Sequence, residues 1–164
     1  MKNFPVVKDS KEYWVSRSVA VVGFVFKIIN DDIHILANKR GPGTPDFQGC
    51  WNCPCGYLDW NETLEQAVIR EIREECGITI MNPIFIGIDS NPSSNRQNVT
   101  VRYYTIYTGT DNLSVGEGGE ENEVSDIKWI NVKDIDNYQW AFNHNELIKE
   151  ILNTTFESIF YGCD

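Results

Sequence analysis

The chain has 164 residues, 41% of them hydrophobic, enough for a buried core and too many for a disordered chain. Acidic residues outnumber basic ones 24 to 14, and the resulting net charge of -10 repels nucleic-acid backbones and anionic membranes. The longest apolar run, Val19 to Phe26, is too short to cross a bilayer. The first residues, MKNFPVVKDSKEYW, lack the apolar stretch of a signal peptide, so a cytoplasmic location is expected.

Residues 1–17 read as a polar lead-in, with Phe4, Tyr13 and Trp14 as docking points that could serve a homodimer. Ser18 to Ile28 is rich in β-branched residues and predicts a strand buried on both faces. Asn30, Asp31 and Asp32 signal a hairpin turn into a partner strand, Ile33 to Arg40. Gly41 to Gly49 is a loop by composition, and Cys50 to Pro54 a short extended piece. A helix is predicted over Leu64 to Cys76, started by a Thr63/Gln66 capping box and stopped by Gly77. Two more strands, Ile80 to Asp89 and Asn98 to Gly109, flank the turn-rich SNPSSNRQ. An acidic, glycine-rich loop (Asp111 to Glu123), a strand at DIKWI and a second helix over Asn143 to Asn153 complete the chain. Strands mixed with two helices predict one α/β layered domain over residues 1–164.

The first helix carries an anomaly. At about 100° per residue, Glu71, Glu74 and Glu75 continue the stripe begun by Leu64, Ala67 and Val68. A helix that merely solvated one side would separate acids from apolar residues. Acids in the last turn oppose the helix dipole by about 0.3–1 kcal/mol each and repel one another. Arg70 offsets part of this, and a divalent cation such as Mg²⁺ or Mn²⁺ would offset more. The plain alternative is a solvated acidic helix end.

Five cysteines (Cys50, Cys53, Cys55, Cys76 and Cys163) do not form a disulfide framework, being odd in number and without a secretory signal. CWNCPC has the C-x2-C spacing of half a zinc site, but no second pair follows, and His34 and His144 are isolated. Small buried thiols are the simpler reading.

The segment Gly56 to Ile78 resembles the signature of the Nudix hydrolases, G-x5-E-x7-R-E-U-x-E-E-x-G-U, where U is apolar. All nine specified positions match: Gly56, Glu62, Arg70, Glu71, Ile72, Glu74, Glu75, Gly77 and Ile78. The resemblance implies an α/β/α sandwich with a mixed β-sheet between helices. It also implies metal-dependent hydrolysis of a nucleoside diphosphate linked to another moiety. By the same resemblance Glu71, Glu74 and Glu75 hold Mg²⁺ or Mn²⁺, and Arg70 orients the acids by a salt bridge. Glu62 shapes the loop or supports the metal, and Gly56 marks a sharp turn. A further catalytic glutamate is expected just before DIKWI, with Glu123 first and Glu120 and Glu121 beside it. The family pattern usually has two glycines after the proline, whereas this chain has Pro54-Cys55-Gly56.

Lys39 and Arg40 are candidate phosphate contacts, with Arg96 and Arg102 behind them, and Phe26, Trp140 or Phe142 could stack on a base. The residue some fifteen positions beyond the box often marks the substrate. Pro92 lies near the position where a proline accompanies ADP-ribose, and Ser94, Asn95 and Arg96 offer no tyrosine of the dinucleoside polyphosphate type. This favours ADP-ribose or another nucleotide sugar, with nucleoside triphosphates open. A nucleotide-sensing module without turnover is the alternative.

Overall fold

The computed structural model describes residues 3–93, 96–119 and 121–156. Glu120, Ser94, Asn95 and Cys163 therefore lie outside the described residues, as does the side chain of Trp14.

The first segment contains a hairpin, β1 (Phe4–Lys8) paired antiparallel with β2 (Lys11–Val15). Its turn residues Asp9 and Ser10 both have positive φ, 52° and 62°. Asp-Ser fills a turn usually flagged by Asn-Gly, so the local signal is weak. Tyr13 meets Trp60 edge-on, with ring centroids 6.2 Å apart.

The main sheet is built on β3 (Val19–Ile29), which turns at Asn30 and Asp31 into β4 (Asp32–Arg40). β3 also runs parallel to β8 (Val99–Ile106), beyond which β7 (Ile84–Asp89) forms an edge. β9 (Val124–Asn131) pairs with β4 on its other side, so the sheet is mixed. Ile78 and Ile80 are core residues but precede β7 itself, because Asn82 takes a positive φ of 50° before the strand begins.

β3 and β4 pair only from Phe26 to Ile29 against Asp32 to Ile35, then diverge. The gap holds β5 (Trp51–Asn52), paired to β4, and β6 (Cys55–Tyr57), paired to β3. The Gly23 N–H donates to the Pro54 carbonyl at 2.9 Å across it. This wedge carries the start of the Gly56–Ile78 segment into the sheet.

Strand alternation sorts the core into two layers. Val21, Val25 and Leu36 pack with Ala67, Val68 and Ile72 of α1 (Leu64–Cys76). Val22, Phe24, Phe26, Ile35 and Ala37 pack with Ile148 and Ile151 of α2 (His144–Ile151). A 3-10 turn (Val132–Asn137) leads from β9 towards α2, and a π-type turn (Leu152–Phe156) follows it. The result is an α/β/α arrangement. Gly23 faces α1, where a Cβ would lie 2.6 Å from Ile72 Cδ1, so its lack of a side chain lets the helix seat on the sheet.

Both ends of α1 are fixed as its sequence predicts. Thr63 and Gln66 form the reciprocal capping box, and Gly77 closes the helix at φ 73°. The glycine-rich loop after β8 docks on its C-terminus: Gly116 N–H donates to Glu74 O at 2.8 Å and Ser114 N–H to Cys76 O at 3.2 Å. These donors satisfy carbonyls that a helix end leaves open. A Cβ on Gly116 would stand 2.0 Å from Arg73 O, so the close approach requires glycine there.

Candidate active site

Arg70 gathers the acids of the box. Its guanidinium holds Glu62 with Nε to Oε2 at 3.0 Å and Nη2 to Oε1 at 2.7 Å. Nη1 donates to Glu71 Oε1 at 2.8 Å and to Glu74 Oε2 at 3.1 Å, and Nη2 to the Tyr57 carbonyl at 2.9 Å. Glu62 also accepts the Asp59 N–H at 2.7 Å, which shapes the loop ahead of α1. Only the planar, five-donor fork of arginine can serve so many acceptors at once.

Glu75 stands apart from this hub. It is 3% exposed and accepts the Cys55 N–H at 3.0 Å through Oε2, tying the end of α1 to the wedge. Asn38 on β4 also hydrogen-bonds its carboxylate. Asn38 and Asn52 sit opposite each other in the β4–β5 pair, at 2% and 1% exposure, on the face that Leu36 turns towards α1. Asn52 Nδ2 donates to Cys53 O at 2.9 Å and lies 3.5 Å from Cys55 Sγ. The Oδ1 atoms of both asparagines have no partner among the described residues. Each such buried acceptor costs about 1–3 kcal/mol. The sequence reading overlooked both asparagines, because one polar residue in a strand looks like the solvent face.

Gly56 lies in β6, opposite Val21, and is not among the described residues with positive φ. Its need for glycine comes instead from contact: a Cβ would fall 2.2 Å from Glu71 Oε1. Cys55, at the family's usual glycine position, is likewise a regular strand residue, and its side chain is accommodated. The thiols of Cys53, Cys55 and Cys76 are all pushed up by burial, with the Glu75 charge adding to each.

The rim is made by the end of β4. A register shift between Lys39 and Arg40 marks a bulge in its pairing with β9. The extra residue is Ser125 on β9, and opposite it Arg40 bonds Asp46 Oδ1 at 3.0 Å while covering the Phe142 ring at 4.9 Å. It is only 8% exposed, so it braces the rim rather than reaching into solvent. Arg96 pairs with the other Asp46 oxygen at 2.8 Å, whereas Arg102 lies on β8, 3.8 Å from Asp89. Lys39 is half-buried one residue before the bulge. Phe47 and Phe142 meet edge-on, with centroids 4.9 Å apart, and both have positive φ (50° and 58°). Bulky side chains rarely adopt that backbone, which concentrates at functional sites. Phe26 is core, and Trp140 donates its indole N–H to the Ile135 carbonyl at 2.8 Å.

Glu123 joins the rim to the box. Its carbonyl accepts the Gly41 N–H, and its charge acts on both Glu71 and Glu75. Glu121 is exposed beside it. His144, beneath the rim, accepts the Cys53 N–H through Nδ1 at 2.9 Å and packs on Phe24 and Phe142. Burial, with Arg40 and Arg102 adding, pulls it down to about 3, so it stays neutral.

One guanidinium thus serves the carboxylates of Glu62, Glu71 and Glu74, while the charge of Glu123 acts on Glu71 and Glu75. The hydrogen bonds from Arg70 hold Glu62 below its ordinary range. Burial pushes Glu71 up to about 7 even against Arg70, with Glu74 and Glu123 adding to the rise. Burial, then Glu71 and Glu123, push Glu75 up as well. Among the described residues no three Asp, Glu, His or Cys side chains are grouped so as to hold a metal ion, CWNCPC included: Glu71 and Glu74 meet on Arg70, while Glu75 is turned to the Cys55 N–H. The donor set is still of the kind a divalent cation takes: hard carboxylate oxygens, under-neutralised, at one helix end. Gly56 and Gly118 bring bare backbone against Glu71 and Glu74, where a Cβ would lie 2.2 and 2.9 Å from the oxygens.

This arrangement is that of a Nudix domain, and the chain belongs to that family: the model described as NUDIX domain matches residues 18–151. A protein of Methanocaldococcus jannaschii named ADP-ribose pyrophosphatase is 29% identical over 148 residues, covering 88% of this chain and 80% of its own length. The nucleoside triphosphatase NudI of Enterobacter is 34% identical over 100 residues, 58% of this chain and 68% of that one. The fold is also that of the NUDIX domain of Shewanella oneidensis NrtR, a structure complexed with ADP ribose. Its TM-score is 0.73 at 24% identity, over 85% of this chain and 88% of that one. Members of the family generally use divalent metal ions. No helix among the described residues is long and apolar enough to cross a membrane.

Proposed function

We propose that this Nudix-type pyrophosphohydrolase acts on ADP-ribose or a closely similar nucleoside diphosphate sugar, with Mg²⁺ as its cation. The observation that carries the reading is Arg70 holding Glu62, Glu71 and Glu74 together while Glu75 is buried beside them. An intact cluster of this kind is costly unless a cation completes it. The relative named ADP-ribose pyrophosphatase matches most of both chains and supports the choice of substrate.

Glu71, Glu74 and Glu75 would hold the ion. When bound, a divalent ion neutralises charge on the diphosphate and acidifies water. Arg70 keeps the carboxylates oriented. Glu123, on a loop whose backbone is tied to the end of β4, would accept the proton of the attacking water. Lys39 attracts the diphosphate. The Phe47–Phe142 pair offers a stacking surface for the base, which in a chain of net charge -10 lies beside Arg40 and Arg96.

The test is a substrate panel of ADP-ribose, other nucleotide sugars, dinucleotides and nucleoside triphosphates, assayed with Mg²⁺ and with chelator. Conversion of ADP-ribose to AMP and ribose 5-phosphate, faster than any triphosphate and abolished by chelator, is expected. Preferred triphosphate turnover would overturn the substrate assignment. Tight binding without turnover would favour a sensing module.

A further inference from the structure

The asparagines under the box are not explained by packing. Asn38 ends a run of four buried residues on β4, Ile35 to Asn38, and Asn52 follows buried Trp51 on β5. Apolar residues fill the neighbouring positions, and apolar pairs are what such a site ordinarily holds. Instead two amides face each other across the strands and leave both Oδ1 atoms without partners among the described residues. Buried unsatisfied groups are rare, and a protein that retains two at one spot retains a cost.

Their donors all lead to one place. Asn38 hydrogen-bonds Glu75. Asn52 Nδ2 holds Cys53 O and approaches Cys55 Sγ, fixing the turn whose Cys55 N–H bonds Glu75 Oε2. Glu75 is therefore reached from two sides: directly from β4 through Asn38, and through the wedge from β5 by Asn52. It lacks the arginine contact that orients Glu71 and Glu74.

We propose that Asn38 and Asn52 are positioning residues, a buried amide pair that aims Glu75 at the cation as Arg70 aims Glu71 and Glu74. The inference rests on the reading of Glu75 as a metal ligand. Partners that orient a ligand from behind commonly contribute 10–100-fold to metal affinity.

Asn38→Leu removes the amide while keeping the number and branching of the side-chain heavy atoms, and Mn²⁺ affinity measured by electron paramagnetic resonance reads its effect directly. We expect Mn²⁺ to bind at least tenfold more weakly, with a melting temperature in chelator equal to or above that of the parent, since an orphaned acceptor is also removed. Turnover should show kcat reduced about tenfold or more, and KM for ADP-ribose changed less than threefold. In a Glu75→Gln background the same substitution should add no further loss of Mn²⁺ affinity. Unchanged Mn²⁺ affinity in folded Asn38→Leu would overturn the proposal, as would a loss that persists in full beside Glu75→Gln. If Asn38→Leu does not fold, Asn38→Ala is read by the same criteria. A folded parent that binds no Mn²⁺ would overturn the metal reading and this inference with it, whereas a parent that binds while Asn38→Leu matches it overturns this inference alone.

Discussion

Arg70 and Glu62 meet through two hydrogen bonds, of 3.0 and 2.7 Å, although eight residues separate them. The contact turns the loop before α1 back over the end of the helix. It leaves Nη1 to serve Glu71 and Glu74. Arg70→Lys keeps the charge and loses the fork. Activity should fall about 10–100-fold, in line with the loss of a partner that orients ligands. Urea unfolding of the metal-free protein should show a loss of about 1–3 kcal/mol, from acceptors left partly buried. Parent-like activity in Arg70→Lys would show that charge alone suffices.

Gly56 predicts a separation of activity from stability. The three atoms nearest an added Cβ all belong to the carboxylate end of Glu71, a flexible side chain that can swing away. Gly56→Ala should fold with a melting temperature near that of the parent. Its activity should drop at least tenfold, because Glu71 can no longer keep its place on Arg70. A large fall in melting temperature would indicate that the backbone, not Glu71, needs the glycine.

The raised Glu71 makes the metal-free protein sensitive to pH. Its folded-state pKa, about 7, lies above the ordinary 4.5. The stability linked to its neutral form is complete below about 4.5 and is lost as pH rises through about 7. This amounts to roughly 3 kcal/mol. A cation that stabilises the carboxylate removes the penalty. Thermal melts should show Mg²⁺ stabilising the protein more at pH 8 than at pH 5.5. Equal stabilisation at both would place the cation away from Glu71.

Phe47→Ala tests the base surface. The ring is 49% exposed, so its removal costs the fold little, while stacking contributes about 1–3 kcal/mol per base. KM for ADP-ribose should rise several-fold or more with kcat nearly kept. An unchanged KM would remove Phe47 from the substrate path.

The parts legible in the sequence are those with local signals. Thr63, Gln66 and Gly77 fix α1 at Leu64 and Cys76, and the box names its own acids. Asn30 and Asp31 announce the β3–β4 hairpin. What escaped depends on residues far apart in the chain. The parallel pairing of Val19–Phe26 with Val99–Ile106 has no local marker. Nor does the meeting of Phe47 with Phe142, or of Asn38 with Glu75. Arg40 illustrates the same limit: its contacts with Asp46, six residues on, and with Phe142, far along the chain, have no marker in the strand pattern. The acidic loop looked like solvated charge, yet Gly116 and Ser114 make it the cap of α1.

The carboxylates at the end of α1 are proposed to work through a bound cation. The most direct test is the rate of AMP release from ADP-ribose by the parent and by Glu74→Gln, each titrated with Mg²⁺. Glu74→Gln keeps the shape of the side chain and removes its charge. Turnover in the parent should depend on Mg²⁺ and fall at least 100-fold in a folded Glu74→Gln. Full activity of Glu74→Gln, or parent activity that survives chelator, would contradict this reading.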